Sequence, residues 1–531
     1  MNGYLIALII FLAYVGLVYI LNRTKWLERH SMSLMGPMIM WKTRRGKKFI
    51  ERLASRKRFW NFYGKVALWI CAGSMLLIML LLLWEATIVP QIKNPPSPEL
   101  ILGIPGINPV IPLGYGILAL VVAIVVHEFA HGILTRVGDV KVQSIGLVFM
   151  VIPIGAFVEP DEKELLATTR SRRSKVFAVG PATNIILAMV VLALFSGVMM
   201  SSVESSHEGA LTLGVVDGSP AMQAGLTPSC VIVSVNGVTV KNGAEFNARM
   251  SDAPGSNVSV GYYFKGQLRS TQFTDGVVIA YAAKGFAAYD VGLKAGMVLV
   301  SINDTPIGNM TALSDAMSLA RAGKTVNITV MSESPSGVFA VDNSISQITL
   351  SDKWNYYQEY DPSNNDPSYH GVAYLGGGFL ELGLRVDDVS YYSDVLANPF
   401  TGDSNLDDFS RSWLRLIALP FLDLAPIRSP VTDLYHPSGG LSWMPDSAFW
   451  LVTNSLYWIF WLNLMIGLTN VLPAVPLDGG YIFRDAIDYV LSKTGRTYTK
   501  EQKDKVVGSI VLAFALLVLA LIVWQIVGPA L

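Results

Sequence analysis

Two histidines and a glutamate, His127, Glu128 and His131, sit inside VVAIVVHEFAHGIL (121–134), a run otherwise as apolar as lipid. On a helix, positions i and i+4 share a face, so both imidazoles can reach one cation while Glu128 faces the same space. This is the donor set of a zinc site with a carboxylate placed to take a proton from water. In a soluble helix the pattern arises by chance fairly often. Inside a membrane span each ionisable group is costly, so such residues face a cavity or a partner and mark function.

A zinc site that does chemistry takes three protein ligands and leaves a position for water. The residues after His131, GILTRVGDVKV, lack the glycine and third histidine of a metzincin. Glu159, Glu162 and Glu164 are formal candidates, but they lie in EPDEKE, which reads more plainly as a solvated loop. Asp478 is the better candidate: a lone carboxylate in the apolar stretch NLMIGLTNVLPAVPLDGGYIF, followed by two glycines. Pro473 and Pro476 deny helix hydrogen bonds just before it, so unwound backbone lining a wet cavity is expected there.

The elements that must position these groups follow from composition. Of 531 residues, 52% are hydrophobic and 15% charged, the balance of a membrane protein, and zero net charge gives no bias toward nucleic acid. Apolar stretches long enough to cross a bilayer occur around 3–21, 65–89, 113–136, 176–200, 450–472 and 507–530, six spans in all. The first has no basic segment before it and no clean cleavage site after it, so it is expected to remain as an anchor. Lys and Arg crowd loops 22–64, 163–175 and 491–505, which places these loops in the cytoplasm and the long 201–449 region outside. The sequons at Asn257, Asn309 and Asn327 agree weakly with that side. On this topology the histidines and Asp478 all fall toward the cytoplasmic ends of spans three and five. Cys71 and Cys230 lie in segments of opposite character and are not expected to pair.

The outer region contains a repeat. GSPAMQAGLTPSCVIVSVNGVTV (218–240) aligns with GFAAYDVGLKAGMVLVSINDTPI (285–307) at a constant offset of 67, and each copy continues with a helix-like piece and an alternating strand. This pattern resembles the PDZ domains of membrane and periplasmic proteases, which accept an extended peptide as an added strand. The resemblance places the peptide-accepting strand of the first copy at Leu213-Gly214-Val215; the second has Ala280-Tyr281-Ala282, without the glycine. From 331 to 410 the chain is polar and turn-rich and reads as an irregular extension. RSWLRLIALPFLDLAPI (411–427) is too short to span and is expected along the membrane surface.

HEFAH together with NVLPAVPLDGG (470–480) resembles the site-2 protease family of intramembrane zinc metalloproteases, and Gly180-Pro181-Ala182-Thr183-Asn184 looks like that family's Gly-Pro-x-x-Asn element. The resemblance implies one Zn²⁺ per chain held by His127, His131 and Asp478, with Glu128 as the catalytic base. It places Asn470 and Asn184 on the substrate or oxyanion side. It also makes SIGLVFMVIPIGAFVEP (144–160) similar to a membrane-embedded hairpin whose edge takes an unwound substrate.

The expected fold is a polytopic α-helical membrane protein of about six spans with two α/β PDZ-like domains between spans four and five. The segments are 1–112 (first helices and basic loop), 113–200 (first part of the catalytic core), 205–267 and 268–335 (PDZ-like copies), 336–449 (outer extension), 450–490 (second part of the core) and 491–531 (last loop and helix). The expected partners are transmembrane substrates, lipid, and peptide termini at the PDZ-like copies. Two other readings remain: a membrane-anchored zincin cutting non-membrane peptides with Glu159 or a neighbour as third ligand, and a non-catalytic peptide-binding scaffold. A transporter would show inverted repeats of spans, and none is visible.

Overall fold

The computed structural model describes residues 3–530 apart from 31, 36–37, 44–46, 92–96, 102, 151, 250–253, 362–363, 400–412 and 495–497. The chain divides into two compact units, one of residues 1–199, 404–426 and 451–531, the other of 200–403 and 427–450.

The first unit is the apolar one. Five described helices are long and apolar enough to cross a membrane: Lys57–Ile88, Leu113–Val137, Arg170–Ser202, Asp446–Asn470 and Lys500–Val527. Gly3–Arg23 is also helical, but only Leu12–Arg23 has described side chains, and that part is shorter than a span. The expected six spans therefore stand at five among the described residues. Helix is the natural state of these runs, because backbone N–H and C=O groups in lipid must be satisfied within the segment. The helices approach closely where residues are small: a Cβ at Gly467 would meet Ile185 at 2.7 Å and the Pro181 carbonyl at 3.1 Å, and one at Gly132 would meet Ile50 at 2.9 Å and Val158 at 3.1 Å.

A four-stranded antiparallel sheet lies against the HEFAH helix, in the order Met32–Met35, Met38–Thr43, Val142–Met150, Ile152–Pro160. Thr43 pairs with Ile145 and Ile39 with Phe149, while Gly146 pairs with Phe157 across the hairpin. The 22–64 segment is thus more than a basic loop. Its two strands are short and rich in methionine, so charge hides them in the sequence. The sheet ties 22–64 to 137–160, and ion pairs tie 163–175 to the 491–505 region: Asp488 bonds Arg170 Nε at 2.9 Å and Lys503 Nζ at 2.6 Å. The segment 413–422 does not lie free. Its Leu416 and Ile417 carbonyls accept bonds from Tyr457 Oη (2.9 Å) and Trp461 Nε1 (3.0 Å), while Leu414, Phe421 and Leu422 remain exposed on its other face.

The second unit holds two copies of one plan. The first copy has strands Ala210–Val215, Val231–Val235, Asn257–Phe264 and Gln267–Thr274; the second has Val277–Ala282, Val298–Ile302, Thr325–Glu333 and Phe339–Val341. The offset of 67 fixes matching details. Asn236 and Asn303 take left-handed turns at φ 48° and 47°, a conformation asparagine tolerates. Asn242 and Asn309 cap the helices Gly243–Asn247 and Met310–Ser318 by accepting bonds from the N–H of Glu245 and Ala312. Each copy buries its own apolar core, around Leu226, Ile232 and Phe246 in the first and Leu293, Leu299 and Ile328 in the second.

Each sheet is completed by a strand from far along the chain. Gly377–Glu381 pairs with Val277–Ala282, and Leu384–Asp388 pairs with Ala210–Val215. The expected boundaries at 205–267 and 268–335 are corrected accordingly: the first copy runs through the 257–274 hairpin, and 336–449 supplies an edge strand to both sheets. Sequence reasoning missed this because a strand that joins two sheets has no repeat of its own to betray it. Cys71 and Cys230 are both buried and free, in agreement with the expectation that they do not pair.

Candidate metal centre

His127 and His131 lie one turn apart on Leu113–Val137, and Asp478 opens the helix Asp478–Lys493. Helix Asp446–Asn470 ends just after the NLMIGLTN run, residues 471–477 turn back, and the chain resumes helix at Asp478. The turn brings the carboxylate to the imidazoles. His127 Nε2 is 3.1 Å and His131 Nε2 3.3 Å from Asp478 Oδ2, and the two Nε2 atoms are 3.0 Å apart. Among the described residues this is the one group of three His, Cys, Asp or Glu side chains close enough to hold a metal ion.

The partners of these rings set what the three atoms offer. His131 Nδ1 is 2.6 Å from the Val176 carbonyl, which can only accept, so the ring proton sits on Nδ1 and Nε2 carries a lone pair. His127 Nδ1 faces the amide of Asn184, 3.4 Å from Nδ2, and Asn184 Oδ1 is buried with no partner. Exchanging the amide's N and O, which geometry alone barely distinguishes, lets Oδ1 accept Nδ1–H and leaves the lone pair of His127 on Nε2. Three lone-pair atoms then converge on one point, an arrangement that repels itself without a cation. Zinc bonds of about 2.0–2.1 Å in a tetrahedron put ligand atoms roughly 3.3–3.4 Å apart, and the three edges here are 3.0, 3.1 and 3.3 Å. The donor set fits Zn²⁺.

Glycines make the convergence possible. A Cβ on Gly180 would overlap His131 Nε2 and stand 2.8 Å from His127 Nε2. Cβ atoms on Gly479 and Gly480 would collide with the backbone of Val471–Leu472 and Ala474–Val475, so the turn can fold onto the new helix only with two glycines after Asp478. A clamp holds that helix farther along. Asp485 accepts from Arg173 Nε at 3.1 Å and from Ser174 Oγ at 2.9 Å, joining it to the helix that carries Gly180.

Glu128 Oε2 accepts the Val158 N–H at 3.0 Å, which aims the carboxylate along the edge of Ile152–Pro160. It shares a cavity of about 320 Å³ with the metal trio, Asn470 and Pro476. Asn470 spends one N–H on the Ile466 carbonyl at 3.1 Å.

Several sequence-based assignments need correction. Asn184 is fully buried against His127, so it orients a ring and does not face a substrate. Leu213-Gly214-Val215 is not a free edge: Gly214 pairs with Arg385 and Val215 with Leu384, so the chain's own strand already fills that place. Glu159 is engaged by Lys42 Nζ at 3.2 Å and by Ser144 Oγ, and Glu164 by the Lys141 N–H at 2.8 Å and Nζ at 3.1 Å. The Lys141 N–H bond holds the Glu164 carboxyl below its usual range. Neither belongs to the metal cluster; the Glu162 side chain lies outside the described residues. The parts played by Gly180, Val176 and Val158 do not show in residue type, because these residues act through an absent Cβ or a backbone atom. Only the Gly-Pro-x-x-Asn element hints at the first.

Residues 115–518 match the model of peptidase family M50. An uncharacterised protein of Methanocaldococcus jannaschii is 29% identical over 212 residues, 39% of this chain and 53% of its own length. The zinc metalloprotease RasP of Shouchella clausii is 31% identical over 124 residues, 23% of this chain and 28% of its own. The chain therefore spans about half the length of the first relative and about a quarter of the second. With a family match across most of its length, this chain belongs to peptidase family M50, the site-2 protease family of metalloproteases.

Proposed function

We propose that the protein is a zinc-dependent intramembrane endopeptidase that cuts transmembrane segments of other proteins. The observation that supports this best is the meeting of two imidazole lone pairs and one carboxylate, with edges of 3.0–3.3 Å, next to a fourth group, Glu128, in one cavity. His127, His131 and Asp478 hold the metal; Asn184 and the Val176 carbonyl fix the two rings. Bound Zn²⁺ supplies Lewis acidity and makes a water molecule acidic enough to lose a proton near neutral pH. Glu128 takes that proton and returns it to the leaving amine nitrogen. The Val158 N–H bond keeps the carboxylate facing the cavity, and Asn470 holds the substrate carbonyl.

Ile152–Pro160 is an edge strand of its sheet. An unwound substrate segment can lie along it as an added strand, since a helix hides its carbonyls from attack. The three basic segments join through the 32–43 strands and the Asp488 ion pairs, which supports their lying on one side, the cytoplasmic one by charge.

The repeats of the outer unit act as PDZ-like docking or filtering modules. Their peptide-accepting edges fall on the 377–388 hairpin. In the second copy, Gly377 and Phe379 face Leu313 and Met317 of the helix Met310–Ser318 across a cavity of about 470 Å³. A filter predicts that excising 206–434, between the paired strands Val203–Ser205 and Tyr435–Pro437, releases cleavage of untrimmed substrates. An unchanged requirement for trimming removes the filter. Glu128→Gln tests the catalytic reading: proteolysis is lost from a protein that still binds zinc, whereas a scaffold loses nothing.

A further inference from the structure

Two roles meet at one hydrogen atom. Val158 belongs to Ile152–Pro160, the strand at the end of its sheet, where it pairs with Ile145. In an antiparallel pair successive residues turn their N–H groups alternately toward the neighbouring strand and away from it. The Val158 N–H turns away, donating to Glu128 Oε2 at 3.0 Å. Val158 also lines the cavity of the metal trio, and Pro160, farther along that edge, has no N–H to offer. A strand added along this edge and reaching the metal cavity therefore needs the Val158 N–H for one of its own carbonyls. One N–H serves one acceptor well, so Glu128 and the added strand exclude each other there.

Glu128 also has one direction in which to move. On its other side lies a cavity of about 200 Å³ walled by Trp41, Val125, Phe129, Leu147 and Phe157, with Thr43 beside them. An ionised carboxylate turned into that apolar space is costly. The remaining space is the cavity shared with His127, His131 and Asp478. We propose that Val158 is a positioning residue that acts through its backbone: its N–H latches Glu128 while the edge is empty, and a substrate strand that takes this N–H releases Glu128 into the metal cavity. The base is thus freed only when an unwound segment lies beside it. This rests on the endopeptidase reading and on strand addition along Ile152–Pro160, and deepens both.

Binding, read without catalysis, tests the latch. The probe is a short peptide rich in valine and threonine, which favour the extended state, with a hydroxyethylene group in place of one central amide so that it binds without being cut. Calorimetry gives its affinity for the purified full-length protein, with zinc content checked in every variant. Glu128→Ala removes the competing acceptor and should bind the probe about tenfold more tightly than wild type, the effect of one hydrogen bond to a charged group. Glu128→Gln should gain less, because its amide oxygen still accepts the N–H, more weakly than a carboxylate does. In a Val158→Pro background the contested donor is gone, and Glu128→Ala should gain nothing. Proline is tolerated on an edge strand where the lost N–H points away from the sheet, and thermal unfolding checks this. If that variant does not fold, the comparison of Ala with Gln decides alone. Equal or weaker binding by Glu128→Ala overturns the latch and leaves the endopeptidase reading standing. So does a gain in Glu128→Gln as large as that in Glu128→Ala, or one that persists with Val158→Pro. A probe held by neither wild type nor Glu128→Ala overturns strand addition itself, and the latch with it.

Discussion

The membrane unit and the repeat-bearing unit both join segments far apart in the chain, but they do so with different chemistry. In the membrane unit the junction is made by side chains: His127, His131 and Asp478 meet within 3.3 Å, and Gly180, Gly479 and Gly480 clear the space. In the repeat-bearing unit it is made by backbone: the 377–388 hairpin adds one strand to each repeat through main-chain pairing. The first arrangement tolerates no added atom at its centre. The second is tight where Gly377 and Gly378 pack on Tyr281, whose carbonyl and ring a Cβ would overlap, and takes its specificity from what lies beside the strand. The two repeats show this directly. In the first copy a Cβ on Gly243 would stand 3.3 Å from the Asp387 backbone, whereas its equivalent, Met310, lies beside the open groove of the second.

The largest effect expected falls on the side-chain junction. Glu128→Gln should lower proteolysis by roughly 10²–10⁴-fold, the range for loss of a general acid–base, with zinc retained; an active variant would break the contrast at once. Removing the metal with a chelator should abolish activity, and added Zn²⁺ should restore it, as read by the same assay.

Gly180→Ala should come next. Its new methyl overlaps His131 Nε2, so metal analysis should find zinc largely lost while the helices remain by circular dichroism. Asn184→Ala should weaken zinc affinity by about 10–100-fold, the usual consequence of losing a partner behind a metal-binding imidazole. Competition with a chelator measures it, and an unaltered affinity would free Asn184 from the role assigned here. The smallest effect belongs to the repeat-bearing unit. Met317→Glu should weaken capture of peptide C-termini by the second copy with no change in zinc content; undiminished capture would remove the second groove from peptide binding.

What could be read from the sequence follows the same division. Histidine, glutamate and aspartate are conspicuous in apolar runs, because burying them is costly, so the metal trio was legible. The repeat was legible because it recurs at a fixed offset. The role of Gly180 was not, since the absence of a Cβ matters only once two helices cross. Nor was Asn184, which reads as a substrate group until burial turns it toward His127. The 38–43 strand and the 377–388 hairpin stayed hidden because their pairing depends on partners about 95 residues or more away. Leu213-Gly214-Val215 was misplaced for that reason: a strand looks the same in sequence whether its edge is open or filled.

The claim beneath all of this is that Asp478 completes the zinc site from the far end of the chain. Purify Asp478→Ala beside wild type and measure zinc by mass spectrometry of the metal. The account predicts one zinc per chain in wild type and almost none in the variant. Full zinc occupancy in the variant would contradict it, and would send the third ligand back to the carboxylates near residue 160.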